Sequence, residues 1–517
     1  MTQKTRQILS RMFISGWLLL GLHLQPIRAQ FSDEPMDGLS VALALEQATI
    51  AAVERFQDSV VAISRVRKDQ VGRSDGRGPE RGLGLQLDPE ELDYVPQFFG
   101  SGVVISADGF IVTCAHVLDD PNLFNYYVWV NQRSFPARAV GTSAKVMAAD
   151  PYSDLAVLKI EESGLHAASL GNAEELKKGQ FVLALGNPEA IARDGSPSVG
   201  WGMVSNLQRM APADEATNSS TSSVESLHEF GTLIQTDAKL NLGMSGGALI
   251  NLRGEMIGLT TSLVATRGQE QPAGYAIAVD ALFRRVVDAL RSGKLPEYGF
   301  LGIQPEDLRP DERRKGEVGA RVSLVLPGWP GDLAGLKSND LIVAVSGKSV
   351  ETRSDLFREL SVLPAGVDVE LTVKRNRIGV PLPDKLSLTA SLSKKYVSTS
   401  RPSYAIDAPP RWRGLEVDYA TAVPPELTRG VFLGGRNITP KLLVTAVSPD
   451  SVAWSAGIRR CDGITEVLGK KVESPAEFYA ITDAVVDQAV GLTILRSNGR
   501  TVEVRVPVDL SMPSDPR

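Results

Sequence analysis

Polar and apolar positions fall into three textures along the chain. Over residues 40–56 (SVALALEQATIAAVERF), apolar side chains at Leu43, Ile50 and Val53 keep helical spacing, which predicts a short helix. Val60–Val66 reads as a strand, and 68–97, polar and rich in glycine and charge, as a long loop. From Gly100 the period shortens. GSGVVISADGFIVTCAHVL holds two β-rich runs joined by Asp108-Gly109, a hairpin signal. YYVWV, ARAVGT, DLAVLKI, FVLALG, GWGMVSNL, TLIQTDA, ALINL, MIGLTT and GYAIAV follow. So many short strands separated by glycine turns predict a barrel or a sandwich. Residues 211–227 carry no basic side chain and read as a disordered surface loop; 280–292 read as a closing helix.

Beyond Lys294 the third texture is a repeat. Gly335, Asp340, Ile342, Val345, Gly347 and Val350 recur 122 positions later as Gly457, Asp462, Ile464, Val467, Gly469 and Val472. Val325 and Pro327 recur likewise as Val447 and Pro449. Two copies at so long an offset indicate two tandem domains and not a solenoid. The polar, Pro/Ser-bearing stretch 393–411 between them reads as a linker.

Composition narrows the function classes. A chain of 517 residues suggests two to four domains, and 43% apolar residues can fill several cores. A net charge of −6 argues against a nucleic-acid partner. Lys4, Arg6 and Arg11 precede an apolar run from Met12 to Leu22, and Ala29 offers a small residue for cleavage. That is the layout of a secretory signal peptide over 1–29, with an uncleaved anchor as the alternative; the run falls short of the ~20 residues a membrane span needs. Cys114 and Cys461 fall in different domains, so no disulfide framework is expected. Neither CxxC nor HExxH occurs, so no metal is expected. Ser346-Gly347-Lys348-Ser349 lacks the earlier glycine of a phosphate loop, so no ATP site or other cofactor is expected.

The candidate chemistry lies in Gly243-Met244-Ser245-Gly246-Gly247. Small residues here bare the backbone, either for a turn or for a nucleophile beside an oxyanion hole. A serine hydroxyl needs a base, and the base needs an orienting carboxylate. The stretch formally matches G-x-S-x-G, but the α/β-hydrolase elbow requires its histidine after the serine, whereas His116, His166 and His228 all precede Ser245. His116, ending a β-rich run, is the favoured base; His166 and His228 sit in loop-like polar surroundings. Asp154, opening an apolar strand, is the favoured carboxylate, with Asp150 and Asp119 behind it. The order His116, Asp154, Ser245 is that of the double-β-barrel enzymes.

GSGVVISADGFIVTCAHVL, DPYSDLAVLKI, VLALGNP, GWGMVSNLQR, IQTDAKLNLGMSGGALIN and GYAIAVD occur in the order found in the HtrA/Deg serine proteases, whose protease domain the region resembles. The resemblance implies a mainly β fold: a chymotrypsin-like double β-barrel over 40–292, then two PDZ (α+β) domains at 296–392 and 412–510, joined by the linker 393–411. It implies His116 as general base, Asp154 as its orienter and Ser245 as nucleophile, with the N–H groups of Gly243 and Ser245 receiving the oxyanion. In the first PDZ domain Phe300, Leu301, Gly302 and Ile303 resemble the loop that binds a peptide carboxylate, the peptide adding as a strand. Arg413-Gly414-Leu415 corresponds in the second, at an offset of 112, so about ten extra residues precede its AGI segment; GVFLGGRNITPK is the expected place.

The function implied is an ATP-independent, exported, periplasmic serine endopeptidase of protein quality control. It would act on unfolded polypeptides, recognise protein C-termini, and assemble as a homo-trimer or a multiple of trimers. A catalytically silent chaperone or peptide-binding scaffold is the rival. Met244 stands where the family usually has asparagine, Ala248 where it has proline, and Leu242 and Cys114 are also unusual. Met244, without a polar side chain to pin its loop, predicts an oxyanion hole that rests collapsed until a ligand reshapes it. Lys239, six residues before Ser245, disfavours cleavage after basic residues. Leu240 and Ile277 are expected to line an apolar pocket for small or medium aliphatic side chains.

Overall fold

The computed structural model describes residues 38–69, 98–130, 142–187, 196–210, 226–261, 273–376, 384–424, 427, 440–496 and 498–509. The expected signal peptide, most of the loop 68–97, all of ARAVGT but Thr142, and nearly all of 211–227 lie outside these residues.

The predicted first helix is α1 (Gly38–Phe56), which buries Ala52 and Phe56. Six antiparallel strands then close on themselves: β1 (Val60–Arg67), β2 (Phe98–Val104), β3 (Phe110–Cys114), β4 (Phe124–Val130), β5 (Thr142–Asp150) and β6 (Leu155–Ile160). A short helix, α2 (Ala115–Leu118), leaves the end of β3. The order is β5-β4-β1-β2-β3-β6, and the β5–β6 pairing completes the ring. A second barrel follows from β7 (Phe181–Gly186), β8 (Ser198–Arg209), β9 (Leu233–Thr236), β10 (Ala248–Asn251), β11 (Met256–Thr261) and β12 (Gly274–Ala278), in the order β10-β11-β12-β9-β8-β7. Closure pairs the end strands of each ring; in the first, β4 covers β5 only at residues 142–144, so the C-terminal half of β5 keeps one free edge within the ring. Every residue of β10 and β11 is buried, so both of their faces are covered. Helix α3 (Ala281–Arg291) ends this region; Asp280 caps it by accepting from the Phe283 N–H at 2.9 Å, and Leu282, Phe283, Val286, Val287 and Leu290 enter the core.

The repeat becomes two sheets of one topology. β13 (Gly299–Phe300) stands outside both, in a two-stranded sheet of its own; the first of the two holds β14 (Ile303–Asp307), β15 (Ala320–Val325), β16 (Leu341–Val345), β17 (Lys348–Ser349), β18 (Asp368–Arg375) and β19 (Asp384–Ser391). β20 (Ser393–Lys394) and β21 (Tyr404–Ala405) come next. The second sheet is β22 (Leu415–Tyr419), β23 (Leu442–Val447), β24 (Gly463–Val467), β25 (Lys470–Lys471), β26 (Val490–Leu495) and β27 (Thr501–Val506). The paths β14-β15-β16-β18-β19 and β22-β23-β24-β26-β27 correspond strand for strand. Even the register shift after Ile342 recurs after Ile464. The extra residues of the second copy lie between β22 and β23; 430–439 fall outside the described residues.

Two expectations are corrected. The stretch 393–411 is no free linker: β20 pairs with β13, and β21 pairs with β5 of the first barrel, Tyr404 opposite Ala149 and Ala405 opposite Ala148. Val397, Tyr404 and Ala405 pack on the protease core, so three apolar side chains dock a segment whose overall composition is polar. The C-terminal end of 211–227 is ordered: Ser226 and Glu229 form a capping box on the turn Leu227–Phe230, and Leu227 is buried.

Candidate active site

His116 is aimed by the break between β3 and α2. Cys114 is extended, and the chain then turns once, carrying His116 toward the turn that precedes β6. That turn ends at Asp154, whose φ of 54° is left-handed backbone that an aspartate tolerates better than most residues. Its carbonyl accepts from the Ala115 N–H at 2.9 Å, so the two segments are tied through the main chain. Asp154 Oδ1 accepts from the His116 N–H at 3.0 Å, and the imidazole Nδ1 lies 2.8 Å from Oδ2 and 3.0 Å from Oδ1. A carboxylate there fixes the Nδ1–H tautomer, which leaves Nε2 unprotonated and able to accept a proton. Thr261 Oγ1 donates to Oδ2 at 3.3 Å. Burial works to raise the Asp154 carboxyl, but the facing His116 charge and hydrogen bonds outweigh it and hold the group below its ordinary range.

Ser245 sits on a loop fastened from three sides. Its carbonyl accepts from the Ser101 N–H of β2 at 2.8 Å; the Gly246 N–H donates to Thr260 O at 2.8 Å; and Met244 O accepts from Gly247 N–H at 2.9 Å and Thr260 Oγ1 at 2.5 Å. Ser101 Oγ accepts from the Asn187 N–H and donates to Gly243 O, both at 2.8 Å. Gly246 must be glycine: with φ 83°, a Cβ there would lie 2.1 Å from Ser101 O. Gly243, at φ 93°, would drive a Cβ to 2.7 Å from Asn187 O and the Phe99 ring. Its N–H meets no acceptor among the described residues. A Cβ on Gly100 would strike both Val117, the neighbour of His116, and Ser245 O, which shows how closely the histidine and serine segments meet. Cys114 joins them as well, its thiol donating to Thr260 O at 3.5 Å.

Met244 is packed where a polar side chain was expected to pin the loop. Its side chain is 3% exposed within the second barrel's core, Sδ accepts from Asn241 N–H at 3.3 Å, and Ser101 and Thr260 supply the polar anchors instead. Donor atoms of Cys114, His116 and Asp154 lie within 4.8 Å of one another. Burial, and then the Asp154 charge, push the Cys114 thiol well up, and the Asp154 carboxylate is engaged by His116, so neither group is set up as a metal ligand.

Comparison with known proteins agrees with this geometry. A trypsin-like peptidase domain profile matches residues 100–259, and a PDZ domain profile matches 299–380. A probable periplasmic serine endoprotease DegP-like of Chlamydia pneumoniae is 33% identical over 401 residues, covering 76% of this chain and 73% of that protein. Its counterpart in Chlamydia trachomatis serovar D is 31% identical over 402 residues, covering 77% and 71%. This chain belongs to the HtrA/Deg family of serine proteases. It is a serine endopeptidase with a chymotrypsin-like double barrel followed by PDZ architecture. The periplasmic serine endoprotease DegP of Salmonella typhimurium is 28% identical, covering 74% of this chain and 72% of that one. Among solved structures, the HtrA-type protease AlgW with decapeptide aligns at 25% identity and a TM-score of 0.46, covering 67% and 98%.

The other expected residues of this HtrA/Deg chain fare unevenly. His166 is exposed. His228 is not in polar loop surroundings but 0% exposed: Nε2 donates to Ser153 O at 3.1 Å, and Nδ1 accepts from Thr232 Oγ1 at 2.7 Å. Burial lowers its pKa and keeps it neutral. Asp119 pairs with Arg65 at 3.3 Å. Leu240 and Ile277 are not brought together as one pocket. Ile277 points to the opposite face of β12 from Ala276 and Ala278 and joins the main core, whereas Leu240 packs on the second barrel's own cluster beside Gly274. Sequence reasoning overlooked Ser101, Thr260 and Thr261, although the first lies inside the quoted GSGVV and the others close MIGLTT.

Ahead of the first PDZ-region sheet, Gly302 holds φ 75°, Gly302 O accepts from Leu326 N–H at 2.9 Å, and Leu301 O accepts from Gly331 N–H at 2.7 Å, so two carbonyls of the Phe300–Ile303 loop are already engaged. The second loop is closed upon itself: Leu415 N–H donates to Trp412 O at 2.8 Å. Arg413, 7% exposed, gives its guanidinium to the carbonyls of Val485, Val486, Gln488, Val506 and Pro507.

Proposed function

We propose that this endopeptidase cleaves unfolded or damaged proteins without ATP, in the periplasm, with Ser245 as nucleophile. The observation that carries the reading is the imidazole of His116, held through Nδ1 on a buried, ionised Asp154 beside the fastened Ser245 loop. Ser245 Oγ attacks the peptide carbonyl carbon while His116 Nε2 takes its proton. The N–H groups of Gly243 and Ser245 receive the oxyanion. The C–N bond breaks as the imidazolium returns the proton to the leaving amine, and water repeats the sequence on the acyl-enzyme. Asp154 stabilises the imidazolium without taking the proton. The first PDZ domain, through Phe300, Leu301, Gly302 and Ile303, engages protein C-termini and regulates the protease. Assembly as a trimer or a multiple of trimers goes with this reading, and a light-scattering mass in solution tests it.

Ser245→Ala is the decisive variant. Casein cleavage should fall by about four to six orders of magnitude, and labelling by a fluorophosphonate should vanish. Casein cleavage that survives the substitution removes Ser245 from the mechanism. A wild-type chain that never labels would favour the silent scaffold.

A further inference from the structure

The residue that leads from the protease domain toward the first PDZ domain also reaches the turn that carries Asp154. Tyr298, 2% exposed, immediately precedes β13, and its carbonyl accepts from Lys395 N–H at 2.7 Å on the PDZ side. Its phenol donates to Asp150 Oδ2 at 2.5 Å. Asp150 ends β5 and organises the turn to Asp154: its carboxylate accepts from Ser153 Oγ at 2.6 Å, Ser153 N–H at 3.2 Å and Tyr152 N–H at 3.4 Å. Ser153 O, one residue before Asp154, accepts from His228. Tyr152 packs edge-on against the Tyr298 ring at 4.9 Å, so the turn and the phenol are in direct contact twice over. Arg285 of α3 covers the other side of the ring at 5.4 Å and donates to Glu297 O and to Ser361 O of the PDZ helix Arg353–Ser361, both at 2.7 Å.

We propose that Tyr298 is a positioning residue for peptide hydrolysis: its phenol, bound to Asp150, fixes the turn that presents Asp154 to His116, and so ties turnover to the seating of the first PDZ module on the barrel. This rests on the triad reading given above. The turn offers Asp154 little latitude. Its φ is left-handed, and a rotation of the carboxylate loses the His116 main-chain and ring contacts together. Without the phenol, a buried carboxylate oxygen loses its donor from outside the turn, and the turn must rearrange to meet it.

The test uses the full chain and a short internally quenched peptide with an amidated C-terminus, which offers no carboxylate to a PDZ loop. Tyr298→Phe keeps the ring and removes one hydroxyl. It should lower kcat about tenfold with KM changed less than about twofold, and slow fluorophosphonate labelling in proportion. Asp150→Asn, which disturbs the same bond together with those from Ser153 and Tyr152, should lower kcat at least as far, and the double variant should be no worse than Asp150→Asn alone, since the phenol acts only through that carboxylate. Ser153→Ala, which withdraws a different donor from the same carboxylate, should also lower kcat and serves if Tyr298→Phe does not fold. A wild type that labels while Tyr298→Phe labels equally fast overturns this inference alone, as would additive losses in the double variant. A wild type that does not label overturns the triad reading and this inference with it.

Discussion

The hydroxyl of Ser101, on the first barrel, donates to the carbonyl oxygen of Gly243, in the nucleophile loop of the second, at 2.8 Å. The same oxygen of Ser101 accepts from Asn187 N–H, so one side chain fixes the peptide between Gly243 and Met244 in place of a polar side chain at 244. Ser101→Ala leaves a buried carbonyl without its donor and lets that peptide rotate. We expect kcat to fall about ten- to a hundredfold with KM little changed, measured on a short peptide substrate. A kcat equal to wild type would show that the loop holds its shape without this contact.

His228 sets an acid limit on stability. It is buried and neutral, and burial lowers its folded pKa below the ordinary value near 6.5. Its contribution is complete above that value and is lost as the pH falls toward the folded pKa, because the unfolded chain then binds the extra proton. Unfolding free energy should fall as the pH drops below about 6.5, with up to ~1.4 kcal/mol per pH unit from this one group. Asp154, held below the usual carboxylate range, acts at lower pH, its contribution being lost as the pH falls through its folded value. Urea titrations of wild type and His228→Gln at several pH values check the sign: the variant's slope in this window should be shallower.

The two PDZ loops should differ in binding. With Ser245→Ala to prevent cleavage, calorimetry with an apolar peptide bearing a free C-terminal carboxylate should show about one peptide per chain, and amidation should abolish it. Gly302→Val should remove that site, since Gly302 holds φ 75° and a Cβ would lie 2.5 Å from Trp329 Cβ. Two equivalents per chain would mean that the Leu415–Trp412 closure opens for ligand.

Arg413 should prove structural. Removing a guanidinium that serves five carbonyls leaves several acceptors buried without a donor. We expect Arg413→Met to destabilise the second of the two repeated sheets by about 2–5 kcal/mol. Trp412 lies under the guanidinium at 4.7 Å, so its fluorescence reports the early unfolding. Fluorophosphonate labelling should remain, since the carbonyls that Arg413 serves lie around the second sheet and away from the triad segments.

The reach of the sequence varied with the range of the interaction. Strands of the barrels were legible because each alternates or runs apolar over four to twelve residues, a local property. The second copy of the sheet was legible because Gly457, Asp462 and Ile464 repeat Gly335, Asp340 and Ile342. His228 was misjudged because polar neighbours such as Glu225 and Ser226 describe its surroundings along the chain, while Thr232 and Ser153 O describe them in space. The stretch 393–411 was misjudged for the same reason: its composition is that of a linker, but Tyr404 and Ala405 find an unpaired edge on β5.

By itself the sequence determined the strand content, the repeat, and the residue types that proton transfer from a serine requires, because spacing and side-chain chemistry are written along the chain. Tertiary structure alone decided which distant groups hold them. Ser101 and Gly243 are 142 positions apart and Tyr298 and Asp150 are 148, and no local pattern marks either pair. A hydrogen bond needs its donor and acceptor within about 3 Å, and that proximity is created only when the barrels close and the PDZ sheet docks.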